Sequence, residues 1–145
     1  MTLQRMDHVG IVVDDLPAAI EFFVELGLEV LGQWSADDRR VDRIVGLDAV
    51  RNDAAMLRTP DGNGRLELIK FHSPQAAGDN GHAPANTPGL RHIAFAVDDI
   101  QAAVAGLRAH GAELVGEVVR YGDSYWLCYV RGPDGIIVEL AEKIG

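Results

Sequence analysis

With 145 residues, 48% of them apolar and 24% charged, the chain is long enough for one ordinary domain or two small halves sharing a core, and its composition is that of a soluble globular protein. A formal net charge of −9 argues against a nucleic-acid partner, because phosphate binding needs a basic surface. The single cysteine, Cys128, excludes an intrachain disulfide, and no apolar run approaches the roughly 20 residues of a membrane span. With no secretory pattern at the N-terminus, a cytoplasmic protein without membrane contact is expected.

Residues 6–13 alternate as a strand does, with His8, Gly10 and Val12 on one face and Val9, Ile11 and Val13 on the other. Asp14 or Asp15 can cap the helix that follows, and Pro17 falls in its first turn, where a missing N–H costs nothing. Leu16, Ala19, Ile20, Phe23 and Leu26 recur at helical spacing, and Gly27 provides the stop. A strand over 28–35 carries Trp34, and Val41, Ile44, Val45 and Leu47 suggest one short helix within 36–48. A strand at about 50–58, the turn Thr59-Pro-Asp-Gly62 and a strand Arg65–Phe71 complete the first half. In that last strand Arg65, Glu67, Ile69 and Phe71 share one face, and Leu66 and Leu68 the other.

From about 73 to 88 the composition turns to Ser, Pro, Gly, Asn and Ala, which reads as a linker. His72 and His82, in or beside it, are expected to be solvent-exposed loop histidines. Beyond it the order repeats, with a strand at 91–97, a helix at about 99–110 stopped by Gly111, and strands at about 113–120, 124–131 and 136–142. The turn returns as Pro133-Asp-Gly135.

The repetition is literal. Between His8–Gly32 and the stretch 84 residues later, nine of 25 positions are identical without a gap, among them His8/His92, Asp14/Asp98, Asp15/Asp99 and Gly27/Gly111. Identity of charged, histidine and glycine positions marks an internal duplication rather than two similar amphipathic segments. The expected architecture is therefore α+β, a single domain of two tandem βαβββ modules at about 4–72 and 89–145.

The duplication pairs the chemically active residues. The first strand of each half carries a histidine, His8 and His92, and the last strand carries a glutamate within an apolar run, Glu67 and Glu139. A buried unpaired carboxylate is costly, and a metal ion removes that difficulty. Two neutral imidazoles and two carboxylates balance a divalent cation, and this mixed N/O set suits Zn, Ni, Co, Mn or Fe. Gly10, Ala94 and Ala96 beside the histidines leave the open space a substrate pocket needs.

These features together resemble the vicinal oxygen chelate superfamily, which includes glyoxalase I, methylmalonyl-CoA epimerase, extradiol dioxygenases and fosfomycin- and bleomycin-resistance proteins. The resemblance rests on Asp7-His-Val-Gly-Ile-Val-Val-Asp14, Arg65-Leu-Glu-Leu68, Leu90-Arg-His-Ile-Ala-Phe-Ala-Val97 and Gly132-Pro-Asp-Gly-Ile-Ile-Val-Glu139. It implies a partly open barrel-like sheet around a cavity, one divalent metal held by His8, Glu67, His92 and Glu139, and a homodimer. The ligand set is similar to that of bacterial glyoxalase I; epimerase-like members usually have glutamine in place of Glu67.

The function this implies is a metal-dependent lyase or isomerase acting on a small carbonyl or acyl compound, with proton transfer by Glu67 or Glu139 through a metal-stabilised enolate. Its rivals are an Fe(II) extradiol-type dioxygenase using His8, His92 and Glu139, a resistance-type transferase, and a small-molecule-binding protein. Trp34, Tyr121, Tyr125 and Trp126 can line a pocket, and Arg43, Arg58, Arg65 and Arg120 can hold an anionic group. Cys128 reads as a small apolar strand residue.

Overall fold

The computed structural model describes residues 2–76, 78 and 81–145. The chain divides into two compact units, Met1–Ala77 and Gly78–Gly145. Ala77, Asp79 and Asn80 of the expected linker lie outside the described residues.

The first unit runs β1 (Val9–Val12), α1 (Leu16–Leu26), β2 (Glu29–Ala36), α2 (Arg39–Val45), β3 (Arg51–Arg58) and β4 (Arg65–Ser73). Its strands form an open sheet in the order β1-β4-β3-β2, parallel between β1 and β4 and antiparallel elsewhere. Asp15 rather than Asp14 caps α1, accepting from the Ala18 amide at 3.0 Å. Gly27 ends the helix at φ +123°, a conformation that favours a residue without Cβ, and its amide returns to the carbonyls of Phe23 and Val24. The short helix α2 forms between the Asp38 cap and Gly46.

The alternation read from the sequence decides what each sheet face carries. Leu66 and Leu68 are buried with Leu57, Ile11 and Val13, and α1 packs against β2, β3 and β4 with Phe22 and Phe23 fully buried. The two rings meet edge-on with centroids 5.1 Å apart. Burial of each such side chain is worth about 1.5–3 kcal/mol, and Phe23→Ala would cost about 3–5 kcal/mol. Glu67 and Val12 stand on the opposite face, where Val12 is well exposed.

The second unit runs β5 (His92–Val97), α3 (Ile100–Arg108), β6 (Glu113–Leu114), β7 (Val119–Tyr121), β8 (Tyr125–Arg131) and β9 (Ile137–Lys143), with a 3-10 turn at Pro133–Gly135 before β9. The open sheet order is β5-β9-β8-β6, with β7 also pairing β8, and β5 and β9 are parallel. Asp99 caps α3 at the Ala102 amide as Asp15 caps α1. Ile100, Val104 and Leu107 bury against β8 and β9, whose Cys128, Val130, Val138 and Leu140 form the core of this unit.

Three expectations need adjustment here. The strand expected at 113–120 is two short pieces, and the break falls at Gly116, a residue that offers a strand no side chain to pack. Helix α3 ends at Arg108; Ala109 keeps a helical φ of −64° and Gly111, at φ +88°, turns the chain. His72 belongs to β4 rather than to the linker, although it is exposed, as is His82. Each unit is thus a βαβββ module, the first with an extra short helix and the second with an extra short strand. The class is α+β. Among the described residues no helix is long and apolar enough to cross a membrane.

Candidate functional site

The parallel pairing of first and last strand brings histidine and glutamate together in each unit. In the first, β1 and β4 align Gly10 with Glu67, so that His8, two residues earlier on the same face, lies diagonal to the carboxylate. His8 Nε2 is 3.7 Å from Glu67 Oε1. In the second, β5 and β9 align Ala94 with Glu139, and His92 Nε2 is 3.3 Å from Glu139 Oε1. Neither glutamate is sealed from solvent: 23% of the Glu67 side chain and 20% of the Glu139 side chain remain exposed. The strand of Glu139 is largely buried, and the glutamate keeps its partial exposure because it lies on the face opposite buried Val138 and Leu140.

The remaining ring nitrogen of each histidine has a different partner. His8 Nδ1 is 2.8 Å from Asp7 Oδ2. The hydrogen bond with His8 holds the Asp7 carboxyl below its ordinary value, and the nearby charges of Arg5, His8 and Arg65 add in the same direction. His92 Nδ1 is 3.4 Å from the Tyr129 hydroxyl, with the two rings 5.1 Å apart and tilted by 37°. Both imidazoles thus turn Nε2 toward a carboxylate while Nδ1 is engaged elsewhere, the arrangement by which proteins orient metal-binding histidines. Two donors on one first-row metal stand about 3.0–3.4 Å apart for bonds near 2.1 Å. The second pair matches this separation and the first needs only a small side-chain adjustment, so the residues fit the group. Among the described residues no third His, Cys, Asp or Glu joins either pair within its own unit.

The faces around the pairs are open where the sequence has small residues. Among the described residues, a Cβ on Gly10 would meet only Ile69 Cδ1, at 3.9 Å, and one on Gly32 would meet nothing within 4 Å. Register places Gly32, Met56 and Gly10 in line with Glu67, and Trp34, Ala54, Ile69 and Val12 in the next row. Asn52, one row further, is buried, and its side-chain oxygen has no hydrogen-bond partner among the described residues. In the second unit Tyr129 stands in line with Glu139 and Ala94, and Tyr125 follows two rows along with Tyr121 beside it.

Trp34, Tyr121 and Tyr125 accordingly lie on the glutamate faces, whereas Trp126, aligned with Glu142, lies on the other. Of the arginines, Arg58 is paired with Glu29, and Arg120 with Asp123 and the Gly122 carbonyl. Arg65 is aligned with Arg58 on the Glu67 face. Asp7 and Tyr129 are the residues that sequence reasoning passed over. For Tyr129 a signal existed: Tyr125 and Tyr129 fall on one face of a strand that must pair with the strand of Glu139.

Comparison with known proteins identifies the family of the chain. The sequence profile of the Glyoxalase/Bleomycin resistance protein/Dioxygenase superfamily matches residues 5–140. The uncharacterized protein YaeR of Escherichia coli (strain K12) is 30% identical over 145 residues, covering 97% of this chain and 98% of that protein. The crystal structure of a glyoxalase family protein from Bacillus cereus superimposes with a TM-score of 0.97 at 46% identity, covering 100% of this chain and 97% of that one. The trypanothione-dependent glyoxalase I of Leishmania major superimposes with a TM-score of 0.67 at 25% identity, covering 97% of this chain and 87% of that one. A duplicated βαβββ fold, a histidine–glutamate pair in each unit and a profile match over nearly the whole length place the chain in the Glyoxalase/Bleomycin resistance protein/Dioxygenase superfamily, also called the vicinal oxygen chelate superfamily.

Proposed function

We propose that His8, Glu67, His92 and Glu139 are the ligands of a divalent metal ion, and that the protein is a metal-dependent lyase or isomerase of the glyoxalase type acting on a small carbonyl or acyl compound. The observation that carries this reading is the recurrence of one arrangement in both units: an imidazole Nε2 facing a carboxylate across a parallel strand pair, its Nδ1 engaged, and a small residue in line with the glutamate. Two imidazoles and two carboxylates neutralise a dication without further charge. The likeness to a glyoxalase I supports the choice of chemistry.

When bound, such an ion supplies Lewis-acid polarisation of a carbonyl oxygen and offsets the negative charge that develops on proton loss. The chain supplies the rest. Gly10 and Ala94 leave room for a substrate carbon to approach the glutamates, and a carboxylate oxygen of Glu67 or Glu139 takes its proton and returns it. Trp34 on the Glu67 face of its sheet, and Tyr125 on the Glu139 face of its own, each offer a flat surface to a small substrate.

The test is metal analysis of purified protein together with a screen against 2-oxoaldehyde–thiol adducts and acyl-CoA epimerisation. Expected are near-stoichiometric divalent metal, turnover in one of the two assays, and loss of turnover by orders of magnitude in Glu139→Gln with the fold unchanged by circular dichroism. Protein that takes up no divalent metal when supplied with zinc, nickel, cobalt, manganese or iron overturns the proposal. Oxygen consumption with catechols, and no turnover in either assay, would replace lyase or isomerase chemistry with ring cleavage.

A further inference from the structure

Although the two histidines occupy equivalent places in the duplicated sequence, they are held by chemically different groups. Asp7 precedes His8, and its carboxylate, which only accepts hydrogen bonds, fixes the proton of a neutral His8 on Nδ1. Nε2 of His8 then carries the lone pair, and it stands 3.7 Å from Glu67. The equivalent neighbour of His92 is Arg91, which cannot accept a hydrogen bond. Its place is taken by Tyr129, in line with Glu139 on the adjacent strand; the residue in line with Glu67 in the first unit is Met56, which has no hydroxyl. The positioning group has thus moved from the residue preceding the histidine to another strand of the sheet, and changed from a pure acceptor to a hydroxyl that both donates and accepts.

We infer that Tyr129 is a positioning residue that lets His92 change tautomer on metal entry, while Asp7 presets His8; this rests on the metal-site reading above. Before the metal enters, His92 keeps its proton on Nε2, directed toward the Glu139 carboxylate 3.3 Å away, and Nδ1 accepts from the Tyr129 hydroxyl. After entry the proton resides on Nδ1 and is donated to the same Tyr129 oxygen, which leaves Nε2 free to ligate. The hydroxyl turns about its C–O bond and the ring need not move. No proton is gained or lost: it leaves Nε2 and is replaced from solvent on Nδ1. His8 makes no such change.

Long-range ¹H–¹⁵N spectra of the histidine rings, recorded about two pH units above the ordinary imidazole value, test this. In metal-free wild type His8 is expected as the Nδ1–H tautomer and His92 as the Nε2–H tautomer. Zinc should convert His92 to Nδ1–H and leave His8 as it was. In Tyr129→Phe the Nδ1 shift of metal-free His92 should change, and zinc affinity, measured by chelator competition, should fall about 10–100-fold. Metal-free His92 already in the Nδ1–H form overturns the inference, as does a Tyr129→Phe protein with unaltered His92 shifts and zinc affinity. If wild type takes up no zinc, the metal-site reading fails, and the conversion on entry fails with it. The metal-free spectra of wild type and Tyr129→Phe then still decide whether Tyr129 positions His92.

Discussion

Gly10 stands directly in line with Glu67 across the parallel β1–β4 pair, and Ala94 holds the same relation to Glu139 in the second unit. Room for a methyl group exists at Gly10, where the nearest atom to a built Cβ is 3.9 Å away, and its φ is not positive. Gly10→Ala should therefore fold normally and gain about 0.5–1 kcal/mol in denaturant titration through the lower entropy of the unfolded strand. Gly10→Phe should keep the fold while raising KM for whichever substrate is identified, because the ring would fill the space beside Glu67.

Gly135 offers the opposite case. Its φ is +75°, and an added Cβ would lie 2.5 Å from the His82 backbone nitrogen. Arg131 reaches both the Gly135 and the His82 carbonyls, so neither segment is free to give way. Gly135→Ala should lower stability by about 1–3 kcal/mol, read from the midpoint of urea unfolding.

Asp53 is among the carboxyls that contribute to acid sensitivity. Hydrogen bonds with Ser35, the larger influence, and with His72 hold its carboxyl below the ordinary 3.8. A folded-state value below the unfolded one gives stabilisation that is complete above the unfolded value and disappears as pH falls through the folded one. Thermal unfolding of wild type and Asp53→Asn should accordingly differ at neutral pH, with the gap closing below about pH 4.

Cys128 should be inert in the folded protein. Burial raises its thiol above the ordinary value, with the nearby charge of Glu139 acting in the same direction, and it is only 4% exposed. A disulfide reagent should label it slowly under native conditions and within seconds in denaturant, since the thiolate is the reactive form.

Much of this molecule was legible in its sequence because strand and helix periodicities differ and a duplication shows each signal twice. The faces of Arg65–Phe71, the two aspartate caps and the four paired residues all follow from alternation and repetition. What escaped depends on contacts between strands. That Asp15 and not Asp14 caps α1 depends on the helix's first backbone angles. Trp126 was grouped with Tyr121 and Tyr125 by composition, yet one step along a strand reverses the face. Tyr129 lies ten residues before Glu139, and only the β8–β9 register puts the two in line. Room beside the two glutamates follows from the small residues Gly10 and Ala94, which alternation places on the glutamate faces.

The parallel pairing of first and last strands has a consequence for biosynthesis. Each histidine is among the earliest residues of its unit to leave the ribosome and each glutamate among the latest, so neither pair exists until its module is nearly whole. For the metal site proposed above, a nascent or truncated module would offer only a lone imidazole, and tight capture would wait for the sheet to be finished. Ion uptake would then serve as a signal of completed folding, with little chance of scavenging the wrong ion onto a half-made chain.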